Sequence, residues 1–548
     1  MTDNINKSEA IGLTLSSLVS SLDIKASTQF IDDVSRCLIV ENILPDEEIV
    51  LFFDAIYSSA VSFADNVVIN KVFADNKEIV RTFADLYKKH EYISKENPLT
   101  LSGITEVASD YLRSVDILPI GVSEDSAANK LTVSDSDGNR LLSVAFDKKE
   151  ALPYGYIKQE KKVTTVLNNG TPLVLIEGDA IDYDSLYADT LFNECVIKST
   201  EVDSRGLLYA ILSISNGALV EASGLELKNL VLSYHGGHIV AVAPERIAEL
   251  LALAKSKGLS TRVFAKSASV PSVKLNYRSG EINLRSGFLR RLFGYKKVFD
   301  AECPSEVFTP TEYTPLFCTD GAFEDTLNYD RHIISARCTK QCSFVNGINT
   351  VLDSVFALLS KGIDRRKISI SLSVGANMQN INSAFAAILG AYRVIMELCL
   401  PIGSSKVSFS DNEHILCLAY AEDECVEVCY DQEKNSDNIY LLSFKRFANT
   451  SPELMPDFDE LRKMCDFLYS SISSKAFVRV HAINGPALSK ANAVSPAECE
   501  FIPIADDGVT EETYAQGFIV ETKPSLILKA PRIGFLKQKT YVGQTTEE

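Results

Sequence analysis

Four short anchors in the first half of the chain recur, in the same order, in its second half. L-P-I-G at Leu118–Gly121 returns at Leu400–Gly403, 282 residues later. D-Y-D-S-L from Asp182 returns as D-F-D-E-L from Asp457, at an offset of 275. S-N-G-A-L from Ser215 is answered by I-N-G-P-A-L from Ile483, which sets Asn216 against Asn484 at an offset of 268. Y-H-G-G-H-I-V-A-V from Tyr234 is answered by Y-A-Q-G-F-I-V-E-T from Tyr514 at an offset of 280. The text after each L-P-I-G also matches, L-T-V-S-D-S-D-G-N-R-L-L-S-V-A-F-D from Leu131 against V-S-F-S-D-N-E-H-I-L-C-L-A-Y-A-E-D from Val407. Collinear pairs at nearly constant spacing mark a tandem duplication, which limits the fold to two related halves. Superposing residues 100–270 on 382–548 is expected to align Leu118 with Leu400 and Asn216 with Asn484. The amino-terminal lobes are expected to pair inside the chain as a pseudo-dimer, because duplication turns a two-fold interface into an internal one.

Within each half, strands alternate with helices. Pro244 heads E-R-I-A-E-L-L-A-L-A-K-S-K-G, a helix with acids early, lysines late and Gly258 just past its end. Ile247, Leu250, Leu251 and Ala254 give it one apolar stripe. Strands are expected at Ile239–Val242 and Thr261–Ala265, on either side of that helix. Ile381–Leu400 and Asp457–Ser474 read as further helices, and Ile368–Val374 and Phe477–His481 as strands. The pattern predicts an α/β (α+β) fold of four lobes in two pseudo-equivalent halves. The expected divisions are a helical amino-terminal extension over 1–94, a first amino-terminal lobe over 95–180 and a first carboxy-terminal lobe over 181–300. A second amino-terminal lobe follows over 301–435, then a shortened second carboxy-terminal lobe over 436–548.

At 548 residues, with 46% hydrophobic and 23% charged side chains, the chain has the composition of a globular protein. The net charge of −19 argues against broad binding to nucleic acid. The exception is R-S-G-F-L-R-R-L-F-G-Y-K-K, where Arg285, Arg290, Arg291, Lys296 and Lys297 stand among apolar groups. It reads first as an amphipathic connector between the halves and second as a phosphate, RNA or partner contact. Ala384–Leu400 is interrupted by Arg393 and Glu397 and reads as a buried helix, not a membrane span. Twelve cysteines with no amino-terminal secretion signal point to free thiols in a reducing, cytoplasmic setting. C-T-K-Q-C at Cys338 and Cys342 and C-V-E-V-C at Cys425 and Cys429 lack zinc-knuckle spacing and read as buried small hydrophobes. His235 and His238 in H-G-G-H read as a turn feeding a strand. No metal site is expected.

The order helix, L-P-I-G, strand pair, D-[FY]-D helix, N-G turn, strand–P-E-R-helix–strand resembles the aminoimidazole ribonucleotide (AIR) synthase superfamily. Its duplicated branch, the phosphoribosylformylglycinamidine (FGAM) synthases, carries two such units. S-I-S-L-S-V-G-A-N-M (Ser369–Met378), A-Y-R-V-I-M-E-L-C-L-P-I-G-S-S-K-V-S-F-S (Ala391–Ser410) and Y-H-G-G-H-I-V-A-V-A-P-E-R-I-A-E-L (Tyr234–Leu250) resemble that superfamily's L-S-A-N-W-M, L-G-L-x-I-P-V-G-K-D-S-M-S-M and S-Q-E-R-x-V-L-A-V-x-P-E segments. The resemblance implies ATP and magnesium held by carboxylates and lysines on glycine-rich turns. The chain departs from it where that chemistry would sit. Against G-K-D-S-M-S-M stand Gly403, Ser404, Ser405, Lys406, Val407, Ser408 and Phe409, so any retained nucleotide contact falls on the turn Gly403–Lys406, with Lys406 two places late. Against D-[LR]-x-x-G-G-L stand S-I-S-N-G-A-L and H-A-I-N-G-P-A-L, which lack the aspartate. No counterpart of H-N-H-P follows the first L-P-I-G, and no glutaminase domain follows the second copy.

These departures favour a catalytically inactive relative, with no catalytic residue and no cofactor, that acts as a structural, binding or assembly protein. Degenerate relatives of this kind include viral proteins, and for such a source the expected location is the host cytoplasm or the virion. One alternative is a divergent ATP-dependent, amide- or amidine-forming ligase using ATP and magnesium. A second is a subunit of a larger nucleic-acid-associated complex. A protein partner or larger assembly is expected at Met1–Ser94, Arg285–Lys297 or Ala530–Glu548, and no membrane. F-A-D recurs at Phe63, Phe73 and Phe83, where short helices with buried phenylalanines are expected.

Overall fold

A computed structural model describes residues 66–541, apart from 95–96, 113–120, 126–129, 135–139, 146–165, 178–185, 187–188, 203–204, 223–229, 231–236, 278–279, 295–296, 306–310, 320–321, 330–331, 378–379, 410–412, 423–438, 445–454, 487–488, 490–498, 503–513 and 523–534. The chain runs through β1 (Val67–Phe73), α1 (Lys77–Ile93), α2 (Gly103–Leu112), β2 (Gly121–Asp125), β3 (Lys130–Ser134) and β4 (Arg140–Ala145). Then come β5 (Pro172–Glu177), α3 (Thr190–Cys195), β6 (Val196–Val202), α4 (Gly206–Ile214), β7 (Gly217–Glu221), β8 (Gly237–Val242), α5 (Ile247–Ser256) and β9 (Ser260–Ala268). The first half closes with β10 (Ser272–Tyr277), β11 (Gly280–Arg285) and α6 (Ser286–Phe293). The second half opens with β12 (Lys297–Glu302), β13 (Phe317–Thr319), β14 (Ala322–Glu324), β15 (Thr326–Tyr329) and β16 (His332–Thr339). It continues through α7 (Phe344–Leu359), β17 (Ser369–Ala376), α8 (Ile381–Leu398), β18 (Ile402–Phe409) and β19 (His414–Glu422). It ends with β20 (Ile439–Ser443), α9 (Phe458–Ser473), β21 (Phe477–Pro486), β22 (Cys499–Ile502), β23 (Tyr514–Thr522) and β24 (Phe535–Tyr541).

The chain divides into two compact units, the first built mainly from 158–297 and the second from 68–124, 129–157 and 298–548. In the first unit a seven-stranded sheet has the order β11-β10-β7-β9-β5-β8-β6. Successive strand residues point to opposite faces, and here both faces are buried. Leu173, Leu175, Ile239 and Ala241 share a core with Leu207, Leu208 and Ile211 of α4 and Leu289 and Phe293 of α6. Val174, Ile176, Val240 and Val242 pack with Phe192 of α3 and Leu250 and Ala254 of α5. Helices on both faces explain why β5 and β8 are uninterrupted apolar runs. The expected strand–helix–strand unit is β8–α5–β9, entered through a 3-10 turn at Pro244–Arg246.

The second unit holds two five-stranded sheets, β15-β16-β19-β17-β18 and β21-β23-β20-β24-β22. The latter repeats part of the first unit's sheet, β6-β8-β5-β9-β7, strand for strand, with each adjacent pair antiparallel in both. The duplication is therefore written in sheet topology. It also corrects one anchor. Gly237 faces Val202 across β8 and β6, and Gly517 faces Ile483 across β23 and β21. Ile483 thus stands where Val202 stands, and Asn216 is not the equivalent of Asn484. The two N-G dipeptides have different causes. A Cβ on Gly217 would lie 2.0 Å from the Val270 carbonyl oxygen, so β7 can only start on glycine, whereas Gly485 sits within β21 at φ 149°. Leu118 lies outside the described residues.

The amino-terminal lobes match less closely. β3 pairs directly with β4, whereas β18 and β19 lie on either side of β17. Helices α1 and α2 pack on α8, and α2 also packs on β18, so first-half helices join the second-half lobe within one unit. Phe83 meets Phe385 of α8 edge-on with ring centroids 6.1 Å apart. Phe73 does not follow the expected pattern: it ends a strand and is 54% exposed. Phe63 lies outside the described residues.

Helix α7 is buried along its whole length and contacts α8, β16, β19, β21 and β23. It meets α8 backbone to backbone. A Cβ on Gly347 would sit 2.0 Å from the Ala387 carbonyl oxygen, and one on Gly390 would sit 2.0 Å from that of Phe344. α8 is long and apolar enough to cross a membrane by composition alone, but its residues are largely buried against these neighbours. It ends at Cys399, whose φ of 53° turns the chain toward Pro401. Alanine normally stabilises a helix interior by about 1 kcal/mol over glycine. Here Gly347→Ala and Gly390→Ala are each expected to cost about 3 kcal/mol or more by overpacking, read as a lower midpoint in urea denaturation.

Candidate functional site

One face of α7 is polar inside an otherwise apolar environment. Asn346, Asn349 and Asp353 stand at helical spacings of three and four, and all three are buried. Buried polar groups must find partners, and these find them on three other parts of the unit. Asn349 Nδ2 donates to Thr311 Oγ1 at 2.9 Å, Thr311 Oγ1 bonds Asn346 Oδ1 at 3.0 Å, and Asn346 Nδ2 donates to the Gln341 carbonyl at 3.2 Å. Asp353 Oδ1 accepts from Gln516 Nε2 of β23 at 2.6 Å, and Asp353 Oδ2 accepts from Asn484 Nδ2 of β21. The Tyr313 hydroxyl also bonds Asp353, and it receives a second contact from Asn484 Nδ2 at 3.3 Å. Beyond it the Arg337 guanidinium lies 6.0 Å from the Tyr313 ring and pairs with Asp325 at 3.2 Å.

Burial raises the Asp353 carboxyl above the ordinary carboxylate range, opposed by Tyr313, Gln516, Arg337 and Asn484. Desolvation likewise raises Asp325, against the Arg337 charge. One acceptor in the network, Asn484 Oδ1, is buried with no hydrogen-bond partner. If the Asn484 amide turns over, a protonated Asp353 supplies the donor that Oδ1 lacks. The carboxyl's lone pairs are committed to the protein's own donors, so the cluster ties α7 to β21, β23 and the 311–313 segment and leaves no open general base.

The residues singled out from sequence do not converge on this cluster. Gly403, Ser404, Ser405 and Lys406 are not a turn but lie in β18, with Gly403 at a register shift against β17. Ser404, Ser405 and Lys406 run in parallel register with Ser371, Leu372 and Ser373 of β17. Lys406 is exposed. In the basic connector, Arg285 ends β11 and Arg290 and Arg291 belong to α6, while Lys297 starts β12. Arg290 donates to the Leu212 and Ser215 carbonyls, at 3.1 and 3.2 Å, at the C-terminal end of α4. A cation there satisfies carbonyls that the helix leaves open. Lys296 lies outside the described residues, as do His235, Cys425 and Cys429. Cys338 and Cys342 are buried, with Cys338 pushed up to about 12 by desolvation. Among the described residues no three His, Cys, Asp or Glu side chains gather as a metal site.

The sequence reading missed the polar stripe on α7, although its signal was present: F-V-N-G-I-N-T-V-L-D-S-V-F places two amides and an acid on one face of an apolar helix. It also placed the D-x-x-G-G-L counterpart of the first half at S-I-S-N-G-A-L. Strand register excludes that place, since Ile483 answers Val202 and not Ser215.

Asp353 has a folded-state pKa above its unfolded value of about 3.9, so ionising it costs stability. That cost grows as pH rises from the unfolded value through the folded one and is constant above it. Asp353→Asn is expected to flatten this segment of the stability–pH profile at little cost near neutrality. Asp353→Leu strands three donors and is expected to lose about 3 kcal/mol or more. Chemical denaturation across pH 4–8 checks both.

The chain matches no protein-family model and no curated protein. Among solved structures it is similar to Thermotoga maritima PurL complexed with FGAR, at 10% identity and a TM-score of 0.45, covering 90% of this chain and 86% of that one. PurLQS from the same organism is similar at 11% identity and a TM-score of 0.45, over 68% of this chain and 71% of that one. Thiamine monophosphate kinase from Aquifex aeolicus matches 40% of this chain and 86% of its own length, at 11% identity and a TM-score of 0.29. With TM-scores below 0.5, function has to be argued from this chain's own residues.

Proposed function

We propose that this protein works by binding rather than by catalysis, as a synthase-like scaffold that presents its surfaces to a protein partner or larger assembly and needs no cofactor. The observation that carries this reading is the inward engagement of Asn484. Its amide is held by Asp353 inside a closed network. A group committed to its own protein's carboxyl is not available to a metal-bound phosphate. The pairing of Ser404–Lys406 within β18 supports the same reading, because that backbone is engaged along β17 instead of forming an open cradle.

A second reading is a divergent ATP-dependent ligase, in which Lys406, exposed on β18, would meet a nucleotide phosphate. Titration calorimetry with ATP and magnesium, together with a phosphate-release assay, separates the two. The expected results are no micromolar binding and no turnover. Micromolar binding that disappears in Lys406→Ala would overturn the scaffold reading and support the ligase.

A further inference from the structure

Helix α8 ends in a cap that satisfies only part of its own terminus. The last carbonyls of a helix have no amide partner within it. Here the Leu400 amide donates to the Ile395 carbonyl at 2.9 Å, and the Cys399 amide donates to that of Met396 at 3.4 Å. With Cys399 in the left-handed region at φ 53°, this is a Schellman motif. Its two apolar positions, Ile395 and Leu400, are both buried. Glycine normally takes the left-handed place, because any side chain there crowds the following carbonyl. The turn at Cys399 is therefore strained. The motif also leaves the next two carbonyls, of Glu397 and Leu398, to be satisfied from outside the helix. Two arginines take them. Arg462 of α9 donates to the Glu397 carbonyl at 2.9 Å. Arg365, in the 3-10 turn Arg365–Lys367, donates to the Leu398 carbonyl at 3.4 Å.

Acids hold both arginines in place and tie α9 to the same helix end. Arg462 also binds the Glu397 carboxylate at 2.8 Å, and Glu397 pairs with Arg393 one turn back on α8 at 2.8 Å. Arg365 pairs with Asp466 of α9 at 3.0 Å. The Arg393 guanidinium lies 5.8 Å from the ring of Phe458, the first residue of α9. A cation at a helix C-terminus also meets the negative end of the helix dipole. From this end the chain passes through Pro401 directly into β18, an edge strand of its sheet. Whatever fixes Cys399 therefore fixes where β18 begins. We propose that Arg365 and Arg462 form a clasp that holds the strained turn at Cys399, and with it the start of β18, in place only while α9 is docked. The device is conformational. Lifting α9 withdraws Arg462 and releases Arg365 from Asp466, so both caps are lost together and the turn relaxes. The clasp is independent of whether the protein binds nucleotide.

The test follows hydrogen exchange of the full-length chain by mass spectrometry. Arg365→Gln combined with Arg462→Gln is expected to speed exchange over residues 395–409 roughly tenfold, the effect of two lost caps at one helix end. Exchange over 344–359 in α7 is expected to stay as in the wild-type chain. Adding Cys399→Gly removes the strain, and is expected to bring protection over 402–409 back to within about twofold of wild type. Recovery through glycine is a response that simple loss of packing would not give. If circular dichroism shows that the double variant does not fold, Arg462→Gln alone carries the test, with an expected change of about threefold. Unchanged exchange over 395–409 would overturn the proposal. So would a rise that spreads equally into α7, or one that Cys399→Gly leaves in place.

Discussion

The second unit is organised by a contact in which side chains play no part. At Gly347 and Gly390 the backbones of α7 and α8 approach until neither helix has room for a methyl group. That approach places α7 against β16 and β19 on one side and β21 and β23 on the other. A larger separation would open voids beside Phe356, whose ring packs 4.8 Å from that of Phe518. It would also lengthen the hydrogen bonds from Asp353 to Gln516 and Asn484. The glycines give up helix propensity, and in return α7 can serve as the common core of two sheets.

The same helix shows why a buried carboxyl can persist without a catalytic task. Removing a charge from water is expensive unless every partner is in place, and Asp353 has partners from three separate stretches of chain. Such a group fixes how the stretches dock, because any shifted arrangement strands a donor. Conformational uniqueness is a sufficient physical reason for its presence.

Much of the architecture was legible in the sequence because it rests on local rules. Asp457 accepts hydrogen bonds from the Asp459 and Glu460 amides and starts α9 where the D-F-D-E-L anchor placed it. Pro244 and Gly258 bracket the turn and helix around α5 as their backbone preferences require. The continuous apolar runs of β5 and β8 and the extensive burial of α8 follow from composition. What could not be read depends on register across long separations. Asn216 and Asn484 look alike in text, yet one precedes a glycine that a carbonyl forces and the other sits within a strand facing Asp353. Gly403–Lys406 reads as a turn until β17 is seen beside it. The α7 stripe was visible as a pattern, but its meaning lay in Tyr313, Asn484 and Gln516, none of which is close in sequence.

The shared strand order of the two carboxy-terminal sheets has a consequence for how the chain reaches its native state. A polypeptide that encodes the same five-strand arrangement twice offers each strand two docking places, its own sheet and the other copy's. Neighbouring repeats of near-identical sequence are prone to this kind of strand exchange during folding. Here the strands that occupy matching places, such as V-I-K-S-T-E-V in β6 and F-V-R-V-H-A-I-N-G-P in β21, have diverged until few side chains coincide. Sequence drift between the copies thus acts as a kinetic safeguard, keeping one topology from trapping the other.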